Sequence, residues 1–414
     1  MPDNVKSNGR KRAIVIGGSM AGLFSAILLD RAGWDVNVFE RSGEAISDRG
    51  TGFVTHAELF DVLQQCGVDT GAAKVGVTAA GRRIFERDGR ISAELELPQV
   101  LTSWGHLYGL LRNKISSDKY HYHRSLSRLE QGTNTVTAYF DDGSRAEGEL
   151  LIGADGIFST VRAQLAPDVT PSYAGYVAWR GLVKEGDLSD KTREELCDYF
   201  AFSLPEGEQM LGYPVAGEGE VMERGRRRYN IVWYRPADGE VLRDLLTDSD
   251  GISHVLSVPP NKIRSDLISL LRRTAKEILS PQFAEAVERV QSPFIQVIQD
   301  LIAPKMRLAP SVVILGDAAS VARPHVGMGV TKAAGDAAAL VEKITSFPDD
   351  LSRALDEFSD ERQKFGAVVV QHARKLGAYM QAQHFTEDER MYAERHRKPE
   401  AVMAETAAAI AIRL

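Results

Sequence analysis

Three glycine-rich stretches hold the residues in this chain best suited to chemistry. In the first, Ala13–Gly22 (AIVIGGSMAG), an apolar strand runs into a tight turn at Gly17 and on into an apolar helix, and Glu40 closes the next apolar strand. Gly17 permits the sharp turn, Gly22 lets the helix pack close to the sheet, and the free N–H groups at the helix start attract a pyrophosphate. Glu40 is placed to accept a hydrogen bond from a ribose hydroxyl. Ser19 stands where the GxGxxG pattern has its middle glycine, with Gly18 just before it. The second stretch, Leu150–Arg162 (LLIGADGIFSTVR), brings Asp155 to the end of an apolar strand, where it either meets a ribose or holds its own turn. The third, Ser311–Ile344, sets Asp317, Pro324, His325, Gly327 and Gly329 between a buried strand at Val312–Leu315 and a helix from about Val330. A strand end, an aspartate and a helix N-terminus together form an anion- and cofactor-facing site.

The elements that must position these residues follow from the pattern. The first unit is a strand at Ala13–Ile16, a helix at Leu23–Arg31 and a strand at Val36–Phe39. A partly basic loop follows at Arg49–Gly52, then an amphipathic helix carrying Leu59, Val62 and Leu63. Val77–Pro98 reads as a hairpin-like excursion with turns at Gly81 and Asp88-Gly89, and Leu107–Ile115 returns to helix. Strands at Val136–Phe140 and Glu149–Ile152 are expected to meet across the Asp142-Gly143 turn, with a helix from near Ser159. Tyr173–Val297 has a different texture: aromatic and β-branched segments between Gly, Pro and charged turns, expected as a largely antiparallel sheet. From Leu351 onward the pattern is long, charged helix, its alanine-rich end at Glu405–Leu414 open to packing or to a subunit contact.

The 414 residues suffice for two or three domains, and 43% hydrophobic with 26% charged residues is the balance of a soluble globular chain. A formal charge of −7 argues against a general nucleic-acid binder. No apolar run reaches a membrane span, and the polar N-terminus shows no signal peptide, so a cytoplasmic location is expected. Cys66 and Cys197 have no CxxC partner and read as reduced thiols. His121 and His123 lack a third ligand, so no metal site is expected.

Taken in order, GGSMAG with Glu40, GADGIFSTVR and LGDAASVARPHVGMG resemble the single-component FAD-dependent aromatic hydroxylases, the para-hydroxybenzoate hydroxylase family. The resemblance covers nearly the whole chain before the C-terminal helices. It implies an α/β fold: a Rossmann-like FAD-binding domain (1–76 with 99–172 and 298–345), an inserted, mainly antiparallel β-sheet substrate domain (77–98 with 173–297), and a C-terminal helical segment (346–414). Gly17, Gly22 and Glu40 match ADP-binding positions, with Gly18, Ser19, Ala21 and Arg41 beside them. Asp155 matches an aspartate linked to both FAD and the nicotinamide cofactor, Asp317 one near the ribityl chain, and Pro324 the loop proline beside the flavin. Gly327 and Gly329 match backbone positions at the flavin ring. Ser320, Thr331 and Trp104 depart from the residues many members carry.

The resemblance further implies reduction of FAD by NADH or NADPH, reaction with O2, and a flavin C4a-hydroperoxide that hydroxylates a small electron-rich aromatic. Segments such as YAGYVAWRGLV and ARPH resemble the dihydroxypyridine-hydroxylating branch, so a hydroxypyridine is the preferred substrate class. His56 and His325 are candidate bases for a ring hydroxyl. Tyr213, Trp233 and Tyr234 lie on expected strands that would line the substrate pocket. Alternatives are a Baeyer–Villiger oxygenase, a reductase on the same scaffold, or an FAD-binding redox sensor without turnover; a halogenase is disfavoured, since WxWxIP is absent. The resemblance leaves a homodimer open.

Overall fold

Runs of consecutive apolar residues, without polar alternation, form strands that are covered on both faces. Arg12–Ile16, Leu150–Gly153 and Val312–Ile314 are of this kind, and in the computed structural model they lie side by side in parallel. The structure describes residues 9–43 and 52–408. Among the described residues, the sheet they belong to has six strands, in the order Arg307–Ala309, Val312–Ile314, Leu150–Gly153, Arg12–Ile16, Asp35–Phe39 and Tyr120–His121. Only the Arg307–Ala309 edge is antiparallel. Helix Met20–Arg31 is apolar nearly all round and buried nearly all round, since it lies between this sheet and helix Gly329–Ser346.

An eight-stranded sheet makes the second layer. Its long strands, Ser172–Lys184, Gln209–Val215, Arg228–Pro236 and Phe294–Ile302, are antiparallel to their neighbours. Their alternation divides two cores. Val177, Trp179, Ile231 and Trp233 pack beneath helices Ser265–Ile278 and Pro281–Arg289. Tyr176, Ala178, Val232 and Tyr234 face the other way, toward the first sheet's loops.

Several turns differ from the sequence expectation. Gly81 opens the strand Gly81–Phe85 and is no turn; a Cβ there would lie 2.6 Å from the Leu95 carbonyl oxygen, so the glycine serves close strand approach. The Asp142-Gly143 turn returns the chain into Arg145–Gly148, which completes a small antiparallel meander. Leu150–Gly153 is a separate strand in the parallel sheet. The helix expected at Leu107–Ile115 begins at Trp104, three residues early, because Ser103 caps it through a hydrogen bond from His106 N. The C-terminal helical run breaks after Leu351–Gly377 into Glu387–His396 and Pro399–Glu405. Arg49–Thr51 and the last residues of the alanine-rich end, 409–414, lie outside the described residues. Cys66 and Cys197 are buried free thiols, and burial pushes the Cys66 thiol up to about 12. Among the described residues, no helix is long and apolar enough to cross a membrane, and no three His, Cys, Asp or Glu cluster as metal ligands would.

Candidate functional site

The first glycine turn is held from three sides. Gly17 has φ +100°, and a Cβ on it would lie 2.4 Å from the Ala154 carbonyl oxygen of the second glycine stretch. Gly18 N donates to Glu40 Oε2 (2.7 Å), and Ser42 N donates to Glu40 Oε1 (2.8 Å). Glu40 thus ties the turn to the neighbouring strand end, while each of its oxygens keeps a lone pair for a ligand. A Cβ on Gly22 would meet the Gly17 carbonyl oxygen at 1.9 Å, so only glycine lets the helix start this close. Ser19 is the N-cap residue of helix Met20–Arg31, and its hydroxyl makes no capping bond. Ala21 leaves room for the third stretch: a Cβ on Gly316 would stand 2.8 Å from Ala21 Cβ. Arg41 is exposed at the rim of the same cavity, which measures about 480 Å³, with Arg124 nearby.

Gly18 offers a sharp test. A Cβ there would fall 2.0 Å from Tyr120 Oη, which itself donates to the Gly18 carbonyl (3.0 Å). Gly18→Ala must displace the Tyr120 ring and the turn with it. The expected outcome is folded protein that purifies with little flavin, read from its visible absorbance against protein; full flavin content would refute this account of the turn.

A second cavity of about 320 Å³ opens between the two layers. Trp104, Ile157, Gln296 and Asp317 line both cavities, so the two form successive parts of one cleft. Asp155 stands in the first part. Its Oδ2 accepts from Thr160 N (2.7 Å) and Val161 N (3.2 Å), and its Oδ1 is buried without a partner. Burial pushes its pKa up, against those hydrogen bonds. Asp317 reaches the junction. The surrounding walls raise its pKa, Lys332 opposes the rise, and Asp336 adds to it.

The Pro324 loop walls the second part with His325, Val326, Gly327 and Gly329. Gly327 has φ +65° and ends the short turn Pro324–Val326. His325 is buried, with Nε2 bonded to Tyr176 Oη at 2.7 Å and its ring edge-on to Tyr234 at 4.3 Å. Burial and then the Arg323 guanidinium lower its imidazole to about 3. His56 lies outside the cleft lining, buried behind Gly327, where burial lowers its pKa. Tyr213 and Tyr234 line the cleft, Tyr213 donating to the Gly52 carbonyl (2.6 Å). Trp233 corrects the expectation: adjacent strand residues face opposite ways, so it packs in the other core and donates to Glu208 Oε2 (2.7 Å).

Other residues at the site gave little sequence signal. Lys332 Nζ donates to the Gly316 carbonyl (2.9 Å), and Asp336 Oδ2 accepts from Gly316 N (3.1 Å). Arg362 Nε donates to Asp336 Oδ1 (2.8 Å) from the helix Leu351–Gly377. Arg162 bridges the second and third stretches by donating to the Ala318 carbonyl (2.7 Å) and to the Ile157 carbonyl. Asp300 anchors the Pro324 loop by pairing with Arg323 (2.8 Å) and Arg374 (2.6 Å). Thr406 and Ala407 close part of the second cavity. Ala407 N donates to the His325 carbonyl (2.7 Å), and Arg82 donates to the carbonyls of Met403 (2.6 Å) and Ala407 (3.3 Å).

The residues fit a dinucleotide that ends in a flat ring system. A Cβ-free turn, an uncapped helix start, the spare lone pairs of Glu40 and Asp155 Oδ1, unpartnered among the described residues, line the first part. Backbone at Gly327–Gly329 and aromatic side chains line the second part.

Comparison with known proteins agrees with this geometry. Residues 173–300 match a family model described as FAD binding domain-like. The chain is 32% identical over 374 residues to 2,6-dihydroxypyridine 3-monooxygenase of Paenarthrobacter nicotinovorans, covering 89% of this chain and 91% of that one. The structure of 2,6-dihydroxypyridine-3-hydroxylase from Arthrobacter nicotinovorans aligns with a TM-score of 0.83, covering 91% of this chain and 94% of that one. An FAD-dependent urate hydroxylase of Klebsiella pneumoniae is 28% identical over 393 residues, covering 88% of this chain and 89% of that one.

Proposed function

The chain belongs to the FAD-dependent aromatic monooxygenases, and on that premise we propose that it hydroxylates a hydroxypyridine with NADH or NADPH as the reductant. The observation that carries this reading is the aromatic wall of the second cavity, where Tyr213, Tyr234 and Phe200 line the same space as the Gly327–Gly329 backbone. Such a wall suits a small aromatic ring beside the flavin. The likeness to 2,6-dihydroxypyridine 3-monooxygenase over nearly the full length supports the substrate class. Aromatic breakdown in the cytoplasm goes with that reading.

FAD, when bound, would supply the redox and oxygen chemistry, with NAD(P)H as the reductant. The chain's own part is to bind, orient and seal. The start of helix Met20–Arg31, with Ser19, holds the pyrophosphate, Glu40 the ribose and Asp317 the ribityl chain. The start of helix Gly329–Ser346 would offer its positive end to the flavin ring, and Gly327, Gly329 and Pro324 would help to hold that ring. Thr406 and Ala407 keep water from the reacting ring. His325 serves as a neutral hydrogen-bonding wall, and His56 supports Gly327 from behind. The discontinuous division into 1–76, 99–172 and 298–345 for FAD and 77–98 with 173–297 for substrate accompanies this assignment.

The test is stopped-flow flavin reduction by NADH with hydroxypyridines and hydroxybenzoates, followed by product mass under ¹⁸O₂. A hydroxypyridine that accelerates reduction and gains one labelled oxygen is the expected result. Reduction that yields only hydrogen peroxide with every hydroxypyridine would overturn the substrate reading.

A further inference from the structure

In the second cavity, the Arg180 guanidinium has no charged partner among the described residues. Arg180 lies on strand Ser172–Lys184, on the face shared with Tyr176 and Ala178, and lines the second cavity. Its Nη1 donates to Gln296 Oε1 (2.8 Å). Its Nε is buried and unpartnered. The guanidinium lines the cavity with the Tyr213 and Tyr234 phenols, acts on both electrostatically and is within hydrogen-bonding reach of Tyr213. The phosphate end of the cleft has its own arginines, Arg41 and Arg124, so Arg180 is not needed there. A buried polar group without a partner is costly, and a planar guanidinium fork matches an anionic oxygen.

We propose that Arg180, oriented by Gln296, is the specificity residue that receives an anionic oxygen lying in the plane of the aromatic substrate, either a deprotonated ring hydroxyl or a ring carboxylate. The inference rests on the reading that an aromatic ring occupies this chamber. Arg180 would favour the ionised ring, and an ionised hydroxyl pushes electron density into the ring that is to be oxygenated. Glutamine at this position keeps a hydrogen-bond donor and removes the charge.

The experiment measures equilibrium binding to the FAD-loaded enzyme through perturbation of flavin absorbance. Two pairs of probes are used: 2,6-dihydroxypyridine with 2,6-dimethoxypyridine, and benzoate with methyl benzoate. Wild type is expected to prefer at least one anionic member. Arg180→Gln should weaken that member roughly 10- to 100-fold while changing its neutral counterpart less than about threefold. Arg180→Lys should recover part of the loss. Loss confined to the dihydroxypyridine identifies the ring hydroxylate, and loss confined to benzoate identifies the carboxylate. No anion preference in wild type, or equal losses for charged and neutral members, overturns the proposal. Should the glutamine variant lose its flavin, the same comparison is made with Arg180→Lys and Arg180→Met. An enzyme that hydroxylates no hydroxypyridine yet shows Arg180-dependent preference for benzoate would refute the substrate reading and leave this inference standing.

Discussion

Asp336→Ala is expected to destabilise the protein by about 3–5 kcal/mol and to yield material nearly free of FAD. Asp336 is buried between two cations, Lys332 (3.5 Å) on its own helix and Arg362 (2.8 Å) on the next. Gly335 leaves room for that guanidinium, since a Cβ there would meet Arg362 Nη2 at 3.1 Å. Removing the carboxylate leaves Arg362 buried without its counter-charge and Lys332 with Asp317 as its remaining charged neighbour, which is the costly way to break such a network. It also removes the acceptor of Gly316 N and frees Lys332, which holds the Gly316 carbonyl. Gly316, at φ +61°, is the hinge that presents Asp317 to the cleft.

Stability and flavin retention can be separated. Replacing Lys332, Asp336 and Arg362 together by Met, Leu and Met removes every charge and keeps the volume, a change that is often neutral or favourable for folding. This triple variant should recover most of the thermal midpoint but not the flavin, because Gly316 still lacks both of its partners. Flavin content restored in full would mean that the network acts through stability alone. A wild-type midpoint in Asp336→Ala would sink the argument outright.

This network shows where sequence reading stops. The strand–turn–helix at Ala13–Gly22 was legible because glycine spacing, an apolar strand and Glu40 all obey one local geometry. The antiparallel sheet was legible from alternating aromatic and β-branched residues. Lys332 and Asp336 stand four apart, a spacing that on most helices marks an exposed pair. Only the packing of helix Leu351–Gly377 against them turns that pair into a buried anchor, and no local pattern records it. Trp233 failed for a simpler reason: Trp233 and Tyr234 cannot both face one cavity from a single regular strand. Arg180 carried a readable clue of the same kind, a lone charge at an inward position of an otherwise apolar strand. Asp155 shows the opposite ambiguity, since it both holds its own turn and leaves one oxygen for a ligand.

Below neutral pH, His325 should make the protein progressively less stable, and His325→Gln should remove that share of the loss. In the folded protein the imidazole is held at about 3, far below its ordinary value of 6.5, by burial and then by Arg323. Tyr176, Tyr234 and Arg323 surround it, and none is an anion that would welcome a proton. The unfolded chain therefore binds a proton as pH falls through 6.5, while the folded protein refuses it until about 3. The neutral histidine's contribution is present in full above 6.5 and is lost between 6.5 and 3, at up to about 1.4 kcal/mol per pH unit. His56, His372 and His396 are also depressed by burial, and Asp155 is raised, which works in the opposite sense. Wild type minus His325→Gln cancels these shared terms. Chemical unfolding followed at pH 7, 6 and 5 should show the wild-type stability falling more steeply, by nearly one proton's worth. Parallel slopes would mean that the His325 imidazole titrates normally and so meets water or an anion in the folded protein. The same neutrality bears on catalysis: a histidine that cannot hold a proton at pH 7 is ill-suited as the resting general base, but it can order a ring hydroxyl by hydrogen bonding.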